Sequence, residues 1–225
     1  MDNENFKKEA EKDREGVYFK NMRLLTGDML KDYPLISIQD RRKFLLAIYP
    51  RFHTKLFPDS ILRNEDSQRY ELIKDVSYTN SIHKIYLCFM PDTASLKPGD
   101  LIAIYRTSDN LGPAKYRSVI TSICQIEEVR TKASFNTMDE YLKYTNKYSI
   151  FEEKDLISWY RQKNVIVLKM TYNIALSKRV TRGYLLDEVG IPADYYWGFF
   201  QLTDGQFDAI LKKGEINENI IVNKA

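Results

Sequence analysis

Residues 96–109 have the sequence Leu-Lys-Pro-Gly-Asp-Leu-Ile-Ala-Ile-Tyr-Arg-Thr-Ser-Asp, and this stretch decides the fold. Pro98 and Gly99 predict a turn, because proline fixes φ and glycine tolerates positive φ. Asp100 is placed to cap that turn through its side chain. The apolar run Leu101–Ile104 then predicts a short buried strand. The end of this strand, 105–108, carries an aromatic ring, a guanidinium and two hydroxyls, which suits a small polar ligand.

A second strand is expected at 116–129, after a loop rich in glycine and proline. Apolar residues occupy both of its alternating faces, which indicates a central or barrel strand and a hairpin with 101–107. Other segments rich in β-branched and aromatic residues predict further strands. These segments are 16–21, 41–50, 81–90 and 164–172, and 71–76 fits a short helix or strand.

Short helices are expected between these strands. Thr137 with Glu140 and Thr203 with Gln206 have capping-box spacing, and Ser149 opens a similar signature. The segment 176–182 is predicted to be exposed and basic. Short strands and helices without regular βαβ alternation indicate an α+β fold, with a small mixed β-barrel of five to six strands.

Composition narrows the function classes. The 225 residues include 34 basic and 31 acidic side chains, so the net charge of +3 permits nucleic-acid binding but does not indicate it. No apolar run is long enough to span a membrane, and the charged N-terminus lacks a signal region. A cytoplasmic protein is therefore expected, with Cys88 and Cys124 as reduced core thiols.

The sequence lacks the motifs of several common binding and catalytic sites. The sequence contains no phosphate-binding GxxxxGK[ST] or GxGxxG, no acetyl-CoA loop and no GxSxG. The only histidines, His53 and His83, are far apart, so neither a metal site nor histidine-based catalysis is expected. Both histidines are interpreted as structural, and no catalytic residue or cofactor is assigned.

The best candidates for ligand-binding residues lie at the predicted hairpin. Aromatic rings for stacking, together with arginine and hydroxyl donors, are what recognition of an unstacked base requires. A purely structural role at the rim or floor of a barrel stays open for the same residues. The predicted ligand-binding set is Tyr105, Arg106, Thr107, Ser108, Tyr116, Arg117, Ser118 and Trp197.

Two small basic clusters are candidates for contacts with a nucleic-acid backbone, although solvated loops are their default interpretation. They consist of Arg41, Arg42 and Lys43, and of Lys178, Arg179 and Arg182.

The segments 84–87, 97–108 and 118–123 together resemble the PUA-like superfamily, especially its EVE and ASCH branches. The ending 199–210 resembles the closing strand and helix of that group. The resemblance implies a pocket of base or nucleotide size near 105–108, of the kind that EVE-like modules use for modified bases. The Gly-x-Lys-x-x-Glu-x-Arg motif of the ASCH branch is absent, so deacylation of modified cytidine is not carried over.

A closer similarity is to bacterial proteins in which such a domain follows a GNAT acetyltransferase domain. The segment 43–58 resembles their junction, and 15–20 resembles the last acetyltransferase strand. The resemblance implies an N-terminal arm over 1–40, as a remnant of a GNAT-type domain, and a PUA-like domain over 41–225. The acetyl-CoA-binding part is absent, so the chain alone is not expected to acetylate a substrate.

Three functions are weighed. The leading one is a non-catalytic module that binds RNA, DNA or a modified base. The second is a protein-interaction partner of an acetyltransferase, as in a toxin–antitoxin pair. The third is a small amidohydrolase acting on acylated nucleosides, which the missing ASCH motif disfavours.

Overall fold

A computed structural model describes residues 26–58, 81–162, 164–216 and 220–222. Two compact units divide the chain, one formed by 1–41 with 217–225 and the other by 42–216. In the first unit, helix α1 (Met29–Asp32) is followed by strand β1 (Ile36–Ser37), which pairs in parallel with strand β8 (Ile221–Val222). The domain boundary expected after residue 40 stays a prediction. Residues before 26 lie outside the part of the chain that the structure describes.

The second unit contains six strands and six helices within its described residues. The strands are β2 (Lys43–Ile48), β3 (His83–Cys88), β4 (Leu101–Arg106), β5 (Val119–Thr131), β6 (Ile166–Thr181) and β7 (Phe199–Leu202). The helices are α2 (Pro50–Leu56), α3 (Ala114–Arg117), α4 (Met138–Thr145), α5 (Glu153–Arg161), α6 (Arg182–Asp187) and α7 (Asp204–Lys213), and two 3-10 turns cover Pro91–Ser95 and Lys132–Ser134.

The six strands form one mixed sheet in the order β3-β6-β5-β4-β2-β7. Strands β2 and β4 are parallel, and the other neighbours are antiparallel. The α+β class with six strands and short helices is therefore confirmed. Within the described residues the edge strands β3 and β7 do not pair, so the sheet is open rather than a closed barrel.

The turn before β4 forms as its sequence predicts. Gly99 has φ of 93°, a conformation that glycine adopts without steric cost. The Asp100 carboxylate accepts a hydrogen bond from the backbone N–H of Lys97 at 2.6 Å and another from Nε of Arg42 at 3.0 Å. All six residues of β4 are buried, and the predicted hairpin is confirmed because Arg106 pairs with Val119 of β5.

One face of the sheet supplies the main hydrophobic core. Leu46, Ile104 and Met170 are fully buried in one cluster with residues of α2, α4 and α5. Truncating such a leucine typically costs about 2–5 kcal/mol, because the cavity fills only partly. Cys88 and Cys124 are free thiols in this cluster, and burial raises the pKa of both.

Two of the three predicted helix starts are confirmed. The hydroxyl of Thr137 accepts a hydrogen bond from the Glu140 N–H, and Thr203 and Gln206 form a complete capping box. The predicted start at Ser149 is wrong, because α5 begins at Glu153 with Glu152 in the N-cap position. Ser149 instead forms an isolated parallel bridge with Ile85, which holds it in an extended conformation.

Two further expectations need correction. The segment 176–182 is not an exposed basic loop, because β6 runs to Thr181 and buries Leu176 and Val180. Residues 116 and 117 form the end of helix α3 rather than the start of β5. The strand predicted at 16–21 and the element predicted at 71–76 lie outside the described residues.

The part of the chain that the structure describes contains no helix with the length and apolar character needed to cross a membrane. Across the same residues, no cluster of three histidine, cysteine or acidic side chains is arranged to hold a metal ion.

Candidate functional site

The sheet separates two side chains that the sequence placed in one site. Tyr105 and Arg106 are neighbours in β4, and adjacent side chains of a strand point to opposite faces. Both are buried, at 2% and 1% exposure. Tyr105 packs on Trp197, with ring centroids 5.5 Å apart, whereas Arg106 lies near His53 of α2. The predicted ligand set therefore does not form a single site.

His53 is the centre of the cluster on the Arg106 face. Its ring is fully buried, and its Nε2 lies 2.7 Å from Oγ1 of Thr121 in β5. Burial lowers the pKa of His53 to about 3, and the positive charges of Arg106 and Arg179 add to the effect. The imidazole is therefore neutral, with one N–H donor and one acceptor nitrogen. Among the described residues, Nδ1 of His53 has no hydrogen-bond partner.

Helix α2 holds His53 against the sheet. Pro50 at its first position presets the helical φ, and Tyr49 precedes it in an extended conformation. The His53 and Phe57 ring centroids are 5.4 Å apart, which keeps the imidazole packed on an apolar neighbour. The interpretation of His53 as a packed residue agrees with its burial. The unpartnered Nδ1 adds a capacity to bind a ligand that this interpretation did not include.

A bulge in β6 positions Arg179 in the same cluster. Ile120 pairs with Val180 and Ser122 pairs with Ala175, so residues 176–179 lie opposite the single residue Thr121. Bulges of this kind redirect a side chain and are common beside functional sites. The Arg179 guanidinium donates to the carbonyl oxygens of Leu176 at 2.8 Å and Thr121 at 3.1 Å.

Burial lowers the pKa of Arg179, and no carboxylate pairs with it in the described part of the chain. Its charge is balanced by backbone carbonyl dipoles, which leaves it able to attract an electron-rich ligand. The buried hydroxyls of Thr121 and Ser122 lie next to each other, with their oxygens 3.2 Å apart. Oγ1 of Thr107 is buried and has no partner among the described residues. We call Arg106, His53, Thr121 and Arg179 the histidine cluster.

The second cluster lies on the Tyr105 face. The side chains of Tyr105 and Ser118 are hydrogen-bonded, and burial raises the pKa of Tyr105. The Arg182 guanidinium stacks on the Trp197 ring at 4.5 Å from its centroid. Trp197 Nε1 and Arg182 Nε are buried without hydrogen-bond partners in the described residues. Arg182 therefore packs on Trp197, which in turn packs on Tyr105.

The loop between β4 and β5 carries the rest of the predicted ligand set. Arg117 forms a two-pronged ion pair with Asp109, and this interaction lowers the pKa of Asp109 to about 2. The Ser108 hydroxyl accepts a hydrogen bond from the Asn110 N–H, which tightens the loop. Tyr116 is 68% exposed and presents its ring to solvent.

Most of the basic residues expected at a nucleic-acid backbone already have acidic or aromatic partners. Arg42 pairs with Asp100, Lys43 with Asp204 and Lys178 with Glu215. Arg179 is held by carbonyls and Arg182 by Trp197, whereas Arg41 is exposed in the first unit. Arg179 thus lies in the histidine cluster, and Arg182 lies in the cluster on the Tyr105 face.

Sequence reasoning missed Thr121 and left His53 outside the binding set. The signal for Thr121 was available, because two adjacent hydroxyl residues interrupt the apolar run Val119–Ile126. The contribution of Arg179 depends on the β6 bulge, for which the sequence contains no glycine or proline marker.

Comparison with known proteins gives no match to a protein-family model and none to a curated protein. Solved structures do match over most of the chain. An ASCH protein from Zymomonas mobilis is 8% identical, with a TM-score of 0.47 over 79% of this chain and 98% of that chain. Human THYN1 in complex with 5-methylcytosine-containing DNA is 12% identical, with a TM-score of 0.39 over 78% and 98%. Protein Atu2648 from Agrobacterium tumefaciens is 8% identical, with a TM-score of 0.40 over 81% and 96%. One of these structures is an ASCH protein, and ASCH is one of the two branches that the sequence resembles.

Proposed function

We propose that this chain is a nucleic-acid-binding module that recognises one unstacked base, natural or modified, through the histidine cluster. The observation that carries the proposal is the buried, unpartnered Nδ1 of His53 beside the guanidiniums of Arg106 and Arg179. A buried polar atom without a partner costs about 1–3 kcal/mol, so such atoms call for an explanation, and a bound ligand supplies one.

The chemistry of the cluster matches the edge of a nucleobase. Guanidinium groups donate to ring nitrogens and carbonyl oxygens, and a neutral imidazole either donates or accepts. The exposed ring of Tyr116, near the end of α3, offers a stacking surface. A base that carries a carbonyl group is therefore the expected ligand.

The test is binding of labelled single-stranded RNA and DNA to the whole chain, measured by fluorescence anisotropy at fixed salt. The panel contains uridine, cytidine, guanosine and 5-methylcytosine at one central position. The last base is included because THYN1 was solved with DNA that contains it. We expect Arg179→Gln to reduce discrimination between central bases about tenfold, because a guanidinium contact specifies a base.

Arg161→Gln is the matched control, because it removes the same charge from an exposed position at the end of α5. It is expected to leave base discrimination unchanged. Equal effects of the two substitutions, or no binding to any member of the panel, would contradict the proposal. An acetyltransferase partner and an amidohydrolase activity stay predictions from the sequence.

A further inference from the structure

A cavity lies beside helix α4, and its lining contains no residue of the histidine cluster. Its volume is about 350 Å³, within the range of about 300–1,000 Å³ that is usual for small-molecule sites. We call it the α4 groove and define it by Arg130, Lys143, Tyr144, Lys147, Tyr148 and Lys169.

The four cations of the groove differ in their partners. Arg130 is bound to Glu140 at 2.8 Å and Lys169 to Glu127 at 2.8 Å. Lys143 and Lys147 are exposed, and neither has an acidic partner among the described residues. The groove therefore carries two positive charges that its own residues do not neutralise, which favours an anionic ligand.

The tyrosine rings of the groove are held in place. The Tyr144 hydroxyl donates to Glu128 at 2.7 Å, and its ring lies 5.0 Å from the Arg130 guanidinium carbon. The Tyr148 ring has the Lys147 ammonium 5.3 Å from its centroid and the Lys169 ammonium 5.9 Å away. Aromatic rings with fixed positions beside cations are the elements of a base-stacking platform.

We propose that the α4 groove binds one nucleotide unit of a single-stranded nucleic acid, with its base on the tyrosine rings and its phosphate on Lys143 and Lys147. The inference rests on the proposed function, since it takes nucleic acid as the partner, but it concerns a separate site. Thr121 of the histidine cluster and Arg130 of the groove are nine residues apart in β5, or about 30 Å at 3.3 Å per residue. A strand of several nucleotides is needed to reach both sites.

The test compares two double variants in the whole chain with a labelled 15-nucleotide single-stranded RNA over a series of salt concentrations. Lys143→Ala with Lys147→Ala removes the unpaired cations of the groove. Lys97→Ala with Lys212→Ala removes two exposed lysines elsewhere, so that this control has the same net charge as the groove variant. We expect only the groove variant to reduce the slope of log K against log salt, by about 0.7, since the groove neutralises one phosphate and each phosphate of a single strand contributes about 0.7.

Stacking is tested at Tyr148. Tyr148→Phe keeps the ring and is expected to bind as the parent does, whereas Tyr148→Leu keeps an apolar side chain and is expected to bind about tenfold more weakly. A thermal melt of both variants confirms that they fold. Equal binding by the two variants would contradict stacking in the groove.

The outcomes separate this inference from the proposed function. If base discrimination still depends on Arg179 while the groove variants bind as the parent does, the groove proposal fails and the proposed function stands. If no nucleic acid binds, both fail. Adenosine monophosphate serves as a second probe. If adenosine monophosphate binds to the groove but the groove substitutions leave binding of the 15-nucleotide RNA unchanged, the ligand of the groove is a free nucleotide. This outcome would overturn the proposal of a single-stranded nucleic acid.

Discussion

Tyr105 and Arg106 are consecutive in β4 and lie on opposite faces of the sheet, each in a different polar cluster. Tyr105 is joined to Ser118 and Trp197, and Arg106 lies beside His53. Substitutions at these two neighbours should therefore have separable effects.

We expect Tyr105→Phe to lower the free energy of unfolding by about 0.5–1.5 kcal/mol, because it removes a buried hydrogen bond to Ser118. Urea denaturation measures this change. Base discrimination should remain that of the parent chain. A loss of discrimination in Tyr105→Phe, with stability unchanged, would assign the Tyr105 face to ligand binding instead.

The pH dependence of stability should report the buried imidazole. His53 has a pKa near 3 when folded and about 6.5 when unfolded, so below pH 6.5 the unfolded chain binds the extra proton. The contribution of neutral His53 to the free energy of unfolding is complete above pH 6.5 and is lost as the pH falls. The slope is roughly 1.4 kcal/mol per pH unit once the unfolded chain has bound this proton.

The window from pH 6.5 to 5 lies above the usual titration of carboxylates, so carboxylates contribute little to the slope there. His53→Phe removes the titrating group and should flatten the pH dependence in this window, as measured by denaturation at several pH values. An unchanged slope in His53→Phe would show that another group controls the acid response.

The turn before β4 should be a stability determinant. Asp100→Ala removes hydrogen bonds from the Lys97 N–H and from Arg42, and we expect a loss of about 1–3 kcal/mol of unfolding free energy. Asp92→Ala is the control, because Asp92 is exposed in the nearby 3-10 turn and should change stability by no more than about 0.5 kcal/mol. Similar losses in both variants would contradict the role of Asp100.

The two cysteines should be inert in the folded chain. Cys88 and Cys124 are buried with raised pKa values, which disfavours the reactive thiolate. A thiol reagent such as DTNB should therefore react slowly at pH 8 and modify both thiols rapidly in denaturant. Rapid reaction of either thiol without denaturant would show that its segment opens.

Local sequence signals predicted the central hairpin well. Pro98, Gly99 and Asp100 specify the turn, and the apolar run after them specifies β4, so both are visible within ten residues. Thr203 and Gln206 identify the start of α7 for the same reason, since a capping box is a local arrangement.

The site was harder to predict because it depends on tertiary geometry. Strand alternation alone separates Tyr105 from Arg106, although both residues lie at the polar end of β4. The place of Arg179 is set by a bulge opposite Thr121, and bulge positions depend on pairing with a distant strand. Ser149 has a helix-capping side chain, yet its bridge to Ile85 overrides that preference.

The order of strands has a consequence for synthesis of the chain. Strand β2 needs β4 on one side and β7 on the other, and its residue Leu46 pairs with Phe199, which is 153 positions later. Until the ribosome has released residues 199–202, one edge of β2 has no strand to complete it. An unprotected edge invites pairing with another chain. Nascent or truncated chains that end before Phe199 should therefore aggregate, and the last strand protects the first strand of the sheet.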